Sequence, residues 1–166
     1  MPRHLREYEQ FFFEGMSQGW AAGNDGEAVP ELPHARRIVS MKGRLVLIDQ
    51  WLYHPTSGKG GGTTTMWDDG IPVWKMWYGG RCADEAVPIV RKALLAAYQS
   101  QRFVGGRGVE RLEEARFTYV NHTDEPNQFD RFSGEEESSR SFFDEHTLQW
   151  EWDTSAYHWY RGMSLV

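Results

Sequence analysis

The chain has 166 residues and carries 18 lysines and arginines against 24 aspartates and glutamates, a formal net charge of −6 at pH 7. Its single cysteine excludes an internal disulfide and a cysteine-rich zinc site, and the acidic balance argues against a general nucleic-acid binder. No apolar run approaches the roughly 18 residues of a membrane-spanning helix. We therefore expect one cytoplasmic domain over residues 1–166, with a core rich in the eight tryptophans.

The first half of the sequence predicts a helix, a loop and three strands. Apolar residues three or four positions apart form the buried face of the helix, namely Leu5, Tyr8, Phe12, Met16 and Trp20. Residues 21–35 hold prolines and glycines without periodicity and predict a loop. From Arg36 the period changes to two, and we expect strands at 44–53, 63–66 and 73–78, the last ended by Gly79 and Gly80.

The second half predicts the same order of elements. A helix is expected from about Asp84 to Gln101, because Pro88 suits its first turn and a glycine-rich turn follows its end. Strands are then expected at 116–121, near 129–132, near 147–152 and at 157–160.

Two short sequence matches indicate an internal duplication. Residues 44–49 correspond to 116–121, and residues 77–80 correspond to 159–162. Each half would be a helix followed by an antiparallel meander, with the halves at about residues 1–82 and 83–166. We predict an α+β fold of two pseudo-symmetric tandem halves in a twisted antiparallel sheet, and a ligand cleft between the halves.

The segment Pro72-Val73-Trp74-Lys75-Met76-Trp77-Tyr78-Gly79-Gly80 resembles a signature of a known family. The signature is Pro-Val-Trp-x-Met-Asn-Tyr-x-Gly, and the family is the uncharacterised bacterial domain of unknown function 5680. The glycine turn at 103–108 and the C-terminal Tyr157-His-Trp-Tyr160-Arg-Gly162 follow in the family's order, whereas Trp77 stands where asparagine is usual. Some family members follow a helix-turn-helix domain in bacterial regulators, so the resemblance implies effector sensing or partner binding.

The turn from Phe103 to Gly108 is a candidate anion site. Its glycines can adopt the positive φ that lets successive N–H groups converge, and Arg107 can bond a phosphate or a carboxylate. The alternative is an ordinary helix C-terminus stopped by glycine, where the helix dipole disfavours an anion.

A second glycine-rich segment, Ser57 to Thr65, has only a superficial likeness to a phosphate loop. Tyr53 stands where that motif requires its first glycine, and Gly60 stands where it requires serine or threonine. We interpret the segment as a flexible hairpin loop.

Asp49 differs from the other acids because it lies in an otherwise apolar strand beside Trp51. A buried carboxylate must be paired or have a shifted pKa, which makes Asp49 a candidate site residue. The alternative is a structural hydrogen bond or an ion pair, with Arg37 or Arg44 as partner. Between 124 and 153, in contrast, ten acids face two arginines, a run typical of a solvated surface.

The tryptophans on predicted strands are the remaining feature. Trp74 and Trp77 are three positions apart, so they face opposite sides of a strand, and core packing accounts for most of the rings. The faces that carry Trp150 or Trp152, and Trp159, are left free to line a cleft. We interpret Cys82 as a half-buried small apolar residue.

We predict a non-catalytic binding or sensor module that holds a small molecule or a protein partner in an aromatic-lined cleft. The predicted ligand-binding residues are Asp49, Trp74, Met76, Tyr78, Arg107 and Tyr119. Because residues 1–123 are about neutral, an anionic ligand is expected to favour the first half.

Two alternatives from other classes stay open. One is an enzyme of unidentified reaction type that uses Asp49 or Glu135 as acid or base with a nearby histidine. The other is a self-associating structural protein, a homo-oligomer. No metal motif is recognisable, and no cofactor, nucleic-acid partner or membrane contact is expected.

Overall fold

The computed structural model describes residues 3–166, and Met1 and Pro2, where the predicted domain begins, lie outside the described residues. The described residues form two α-helices, α1 (Arg3–Met16) and α2 (Val87–Gln99), and two short 3-10 turns, at Trp20–Ala22 and Asp84–Ala86. The strands in chain order are β1 (Glu27–Ala28), β2 (Ala35–Lys42), β3 (Leu45–Tyr53), β4 (Lys59–Asp68), β5 (Ile71–Cys82), β6 (Arg111–Glu114), β7 (Phe117–Thr123), β8 (Arg131–Asp144) and β9 (Gln149–Ser164).

All nine strands join one antiparallel sheet, which confirms the predicted α+β class. The order across the sheet is β1-β2-β3-β4-β5-β9-β8-β7-β6. Two meanders therefore run inward from opposite edges and meet where β5 pairs with β9, with Tyr78 opposite Tyr160. Neither described helix is long and apolar enough to cross a membrane.

Both helices pack on one face of the sheet, against each other and against the strands. Helix α1 turns its predicted apolar stripe inward, and Leu5, Tyr8, Phe12 and Met16 are all buried. Helix α2 begins with Pro88 in its first turn, where the missing N–H breaks no helical bond. The apolar stripes of both helices thus cover the inward residues of the sheet.

The centre of the core is a cluster of aromatic rings around Trp74, which is fully buried. Phe129 stacks on the Trp74 ring with centroids 5.0 Å apart, and Phe132 stacks at 5.5 Å. The Trp74 indole N–H donates to the Phe129 carbonyl oxygen at 2.8 Å, so its polar atom is satisfied.

Several predicted element boundaries are wrong. Gly79 and Gly80 do not end the third strand, because β5 continues to Cys82. Gly60 and Gly62 belong to β4 and not to a loop; a Cβ on either would collide with the backbone of β3, at Leu52 or Gln50. Close backbone approach, and not flexibility, explains these glycines.

The acidic second half also differs from its prediction. The two strands predicted near 147–152 and at 157–160 are one strand, β9, and its partner β8 was predicted only at its first residues. Beyond Arg140 and Thr154 the two strands pair only with each other and form a ribbon with exposed aromatic rings, Phe143, Trp150 and Trp152.

Candidate functional site

A cavity of about 440 Å³ lies on the helical face of the sheet. It is bounded by the end of α1, by β3, β4 and β5, and by α2. Aromatic rings form much of its wall: Trp20, Trp51, Tyr53, Tyr78 and Tyr98. Polar side chains from both halves line the same cavity, among them Asp49 and Tyr78 from the first half and Arg107 and His158 from the second, with Asp25, Arg36, His54 and Asp84 in addition. This combination of apolar walls and a few convergent polar groups is typical of a ligand site.

Asp49 reaches the cavity because strand alternation places it on the inner face of β3 with Leu45 and Leu47. Its Oδ1 accepts hydrogen bonds from the hydroxyls of Thr64 at 2.9 Å and Tyr78 at 2.8 Å. Burial raises the pKa of Asp49 above its usual value, since desolvation outweighs the two hydroxyl bonds and the more distant Arg107. The carboxylate is hydrogen-bonded by hydroxyls, and neither of the arginines suggested by the sequence bonds it.

Those two arginines have other surroundings. Arg44 forms ion pairs with Asp68 at 2.6 Å and Glu7 at 2.9 Å, at the end of the sheet near α1. Arg37 lies on β2 opposite Gln50. The predicted ion pair of Asp49 with either arginine is therefore wrong, whereas the predicted structural hydrogen bond is present.

Tyr78 connects Asp49 to Arg107. Its hydroxyl donates to Asp49, and the Arg107 guanidinium lies 5.3 Å from the centre of its ring. Burial, followed by the neighbouring negative charge of Asp49, raises the pKa of Tyr78 well above its usual value. Tyr78 therefore acts as a neutral hydrogen-bond donor at the floor of the cavity.

The turn from Phe103 to Gly108 holds Arg107 in place and uses its own polar groups internally. Gly105 and Gly106 have φ values of 61° and 69°, in the left-handed region that favours glycine. The Gly105 N–H donates to Asn127 Oδ1 at 2.8 Å, and the Tyr98 hydroxyl donates to the Gly106 carbonyl oxygen. The glycines adopt the predicted conformation, but these polar groups of the turn bond within the protein, and the turn fixes the position of Arg107.

Arg107 is paired with a carboxylate of the protein. Its guanidinium donates to Glu136, and both side chains are almost completely buried. Glu136 also accepts from the Tyr119 hydroxyl, and His158 Nδ1 lies 3.1 Å from Glu136 Oε1. Burial alone would raise the pKa of Glu136, but Arg107 and His158 outweigh it and hold that pKa well below its usual value. The sequence predicts that Arg107 is free to bind an anion. In the structure its guanidinium is already paired with Glu136.

The six predicted ligand-binding residues divide into two groups. Asp49, Tyr78 and Arg107 line the cavity. Trp74 and Met76 are fully buried in the core, and Tyr119 is fully buried with its hydroxyl on Glu136, so these three have no surface to offer a ligand. The inner face predicted for β5 is right, but the cavity exposes only its Tyr78 end.

Glu135, the acid named for an enzyme, is exposed on the outer face of β8, opposite Trp159 in register. Its neighbour Glu136 takes the inward position that the sequence reasoning overlooked. The inward pattern of β8 is Phe132, Gly134, Glu136 and Ser138, a period of two that the acidic run conceals.

His158 and Cys82 also line the cavity without having been predicted there. His158 lies on β9 opposite Gly80, and Cys82 lies two residues further along β5. Burial raises the pKa of the Cys82 thiol to about 11, and the thiol donates to the Ala83 carbonyl oxygen at 3.6 Å. Cys82 is therefore a protonated wall residue at neutral pH.

Among residues 3–166, no group of three or more histidine, cysteine, aspartate or glutamate side chains is placed to hold a metal ion.

No family model matches this chain, and the searches of curated proteins and of solved structures find no match either. The resemblance to domain of unknown function 5680 therefore stays a prediction from the residues at 72–80.

Proposed function

We propose that this protein is a non-catalytic module that binds a small molecule in the aromatic-lined cavity beside α2. The observation that carries the proposal is the convergence of Asp49, Tyr78, Arg107 and His158 in one cavity of about 440 Å³. Ligand sites commonly measure roughly 300–1,000 Å³ and combine apolar walls with a small number of polar groups. A sensor role in a regulatory protein is consistent with the family that the sequence resembles.

We also propose that the two halves are related by duplication, and the strand registers support this. Asp49 pairs with Thr64, and Asn121 pairs with Glu136. Each residue of the second pair follows its counterpart in the first by the same number of positions. Gly62 opposite Tyr78 and Gly134 opposite Tyr160 continue the correspondence in the next strands. The cavity is lined from both halves, as a cleft between two related units would be.

A ligand screen tests the proposal, and a second measurement shows whether each ligand binds in the cavity. Purified protein is screened by thermal shift against a fragment library, and hits are tested for protection of Cys82, the only cysteine, from N-ethylmaleimide at pH 8.5. A ligand in the cavity raises Tm and slows alkylation, since Cys82 lines the wall.

Two matched variants complete this test. Trp51→Ala removes an aromatic wall of the cavity, and Trp152→Ala makes the same substitution on the exposed ribbon, where Trp152 is 62% exposed. Binding should weaken in the first variant and stay unchanged in the second. A library without any hit that protects Cys82 would reject the proposal.

One observation favours an enzyme as a second candidate. His158 lies in the cavity wall with Nδ1 3.1 Å from a carboxylate oxygen of the buried Glu136, so a side chain able to act as acid or base stands beside the other polar groups of the cavity. Each confirmed ligand is therefore incubated with the protein and with His158→Gln, and the mixture is analysed by mass spectrometry. Conversion by the native protein alone would favour the enzyme, and recovery of unchanged ligand from both would favour the binding module.

A further inference from the structure

We propose that the cavity selects a flat aromatic molecule with a cationic N–H donor, such as an amidinium, which hydrogen-bonds to Asp49. This inference rests on the proposed binding function and names the ligand class of the same site.

The first argument is an incomplete set of hydrogen bonds on Asp49. A carboxylate can accept about four hydrogen bonds across its two oxygens. Both bonds that the protein supplies, from Thr64 and Tyr78, go to Oδ1. No donor in residues 3–166 bonds Oδ2, although the residue is only 6% exposed and that exposure faces the cavity. A donor on the ligand would supply the missing hydrogen bond to Oδ2.

The second argument concerns the fixed charges around the cavity. The positive charge of Arg107 is paired with Glu136 through Nη2, and its Nε is buried without a hydrogen-bond partner. Arg91, at the edge, pairs with Asp25 at 2.6 Å. The negative charge of Asp49, in contrast, has only hydroxyl partners. A ligand cation therefore meets, in the Asp49 carboxylate, a group that no cation of the described residues bonds directly.

One lining cation could favour an anion instead. Arg36 has no carboxylate partner among the described residues, and its guanidinium donates to the Gly26 carbonyl oxygen at 3.3 Å. Arg36 is half-buried on β2, opposite Trp51, and water screens its charge more than it screens the buried Asp49. The experiment below includes an anionic probe for this reason.

The third argument concerns the walls. Trp20 and Trp51 present indole rings to the cavity, and the face of an indole attracts a cation. The Arg91 guanidinium lies 4.6 Å from the centre of the Trp20 ring, an example of this preference at a ring that lines the cavity. A flat, delocalised cation can pack against such rings and still direct its N–H groups toward Asp49.

Three probes of one shape separate charge from size: 2-naphthamidine, 2-naphthamide and 2-naphthoate. Calorimetric titration at pH 7.5 should give the amidine an affinity at least about tenfold higher than the amide and the carboxylate, because a hydrogen bond to a charged group is worth about that much or more. In Asp49→Asn the advantage of the amidine should disappear while the amide binds as before. Glu135→Gln, which removes an exposed carboxylate from the outer face, should change none of the three affinities.

The outcomes are distinct. Tighter binding of naphthoate, with loss of that binding in Arg36→Gln, would overturn the inference and leave the binding function in place. Equal affinities for the three probes, or an amidine affinity unchanged in Asp49→Asn, would overturn it as well. Absence of amidine binding would reject this ligand class, whereas the binding function is decided by the wider screen with Cys82 protection.

Discussion

Two buried polar clusters occupy matching places in the sheet, and they are completed in different ways. The first joins Asp49, Thr64 and Tyr78 on β3, β4 and β5, and the second joins Asn121, Glu136 and Tyr160 on β7, β8 and β9. In the first the tyrosine hydroxyl donates to an aspartate, and in the second it donates to the asparagine at 2.6 Å. The carboxylate thus lies on the third strand in one cluster and on the eighth in the other.

The difference lies in what covers each cluster. The turn at 103–108 lies over the second cluster, with Arg107 on Glu136 and the Asn121 amide donating to the carbonyl oxygens of Val104 and Gly108. The first cluster has no such cover and forms the floor of the cavity. A carboxylate whose partners are complete stabilises the fold, whereas one whose partners are incomplete is available to a ligand.

Glu136→Gln should give the largest effect, because it leaves the buried Arg107 without a counter-ion. Removing one partner of a buried ion pair costs about 3–5 kcal/mol. We expect a loss of that size in the free energy of unfolding, measured by urea denaturation at pH 7. Glu135→Gln, one residue away on the outer face, should change it by less than about 0.5 kcal/mol.

The stability deficit of Glu136→Gln should also depend on pH, in a direction that the lowered pKa of Glu136 fixes. The pKa of Glu136 is lowered from an ordinary value of 4.5, so its contribution is fully present above that value and is lost as the pH falls toward the folded-state pKa. The deficit of Glu136→Gln relative to the native protein should therefore shrink in acid. A deficit that stays constant between pH 7 and pH 3 would show that the charge of Glu136 is not what stabilises the pair.

Much of the fold could be predicted from the sequence, because periodicity reports burial directly. The stripe from Leu5 to Met16 predicts α1, and the alternation of Trp74, Met76 and Tyr78 predicts the inner face of β5. β8 was largely missed, since Glu135 and Glu137 flank the inward Glu136 and the run looks uniformly acidic. In that run, alternation was hidden because the inward residue is itself charged.

The site was predictable only where a residue departs from its local pattern. Asp49 was found because an acid in an apolar strand is unusual, and Arg107 because it stands within a glycine turn. His158 was missed, since its contact with Glu136 depends on the pairing of β8 with β9. Trp74 was named a ligand contact because a sequence does not distinguish a ring in the core from a ring at a cavity on the same strand face.

The charge of a long segment does not describe the charges at the site. Residues 1–123 are about neutral, from which the sequence predicts that any anionic ligand would favour that half. In the structure Arg107 and Arg91 are paired with carboxylates and Arg36 bonds a carbonyl oxygen, while Asp49 keeps an oxygen without a donor among the described residues. Local pairing, and not the sum over a segment, decides which charge a ligand meets.

Tyrosine-to-phenylalanine variants should give an intermediate effect that separates the clusters. Tyr160→Phe leaves Asn121 Oδ1 without its donor in a buried place, and an unsatisfied buried group costs about 1–3 kcal/mol. Tyr78→Phe should cost less, because Asp49 keeps the Thr64 hydroxyl and can accept from solvent in the cavity. Urea denaturation of both variants measures the difference. A larger loss for Tyr78→Phe would mean that the first cluster is as closed as the second.

Asp49→Asn should give the smallest change in stability, and with the opposite sign. The pKa of Asp49 is raised from an ordinary value of 3.8, so the folded state favours the protonated carboxyl, and ionisation costs stability as the pH rises through the folded-state pKa. Below the ordinary value the native protein and the variant should unfold alike, and at pH 7 the variant should have the higher Tm. Thr64 and Tyr78 can donate to the asparagine oxygen as they do to the aspartate, so the packing is kept.

A gain in stability together with the loss of amidine selectivity would show that Asp49 is retained for binding at the expense of the fold. A variant less stable than the native protein at pH 7 would instead place Asp49 with Glu136, as a carboxylate whose partners the protein already supplies.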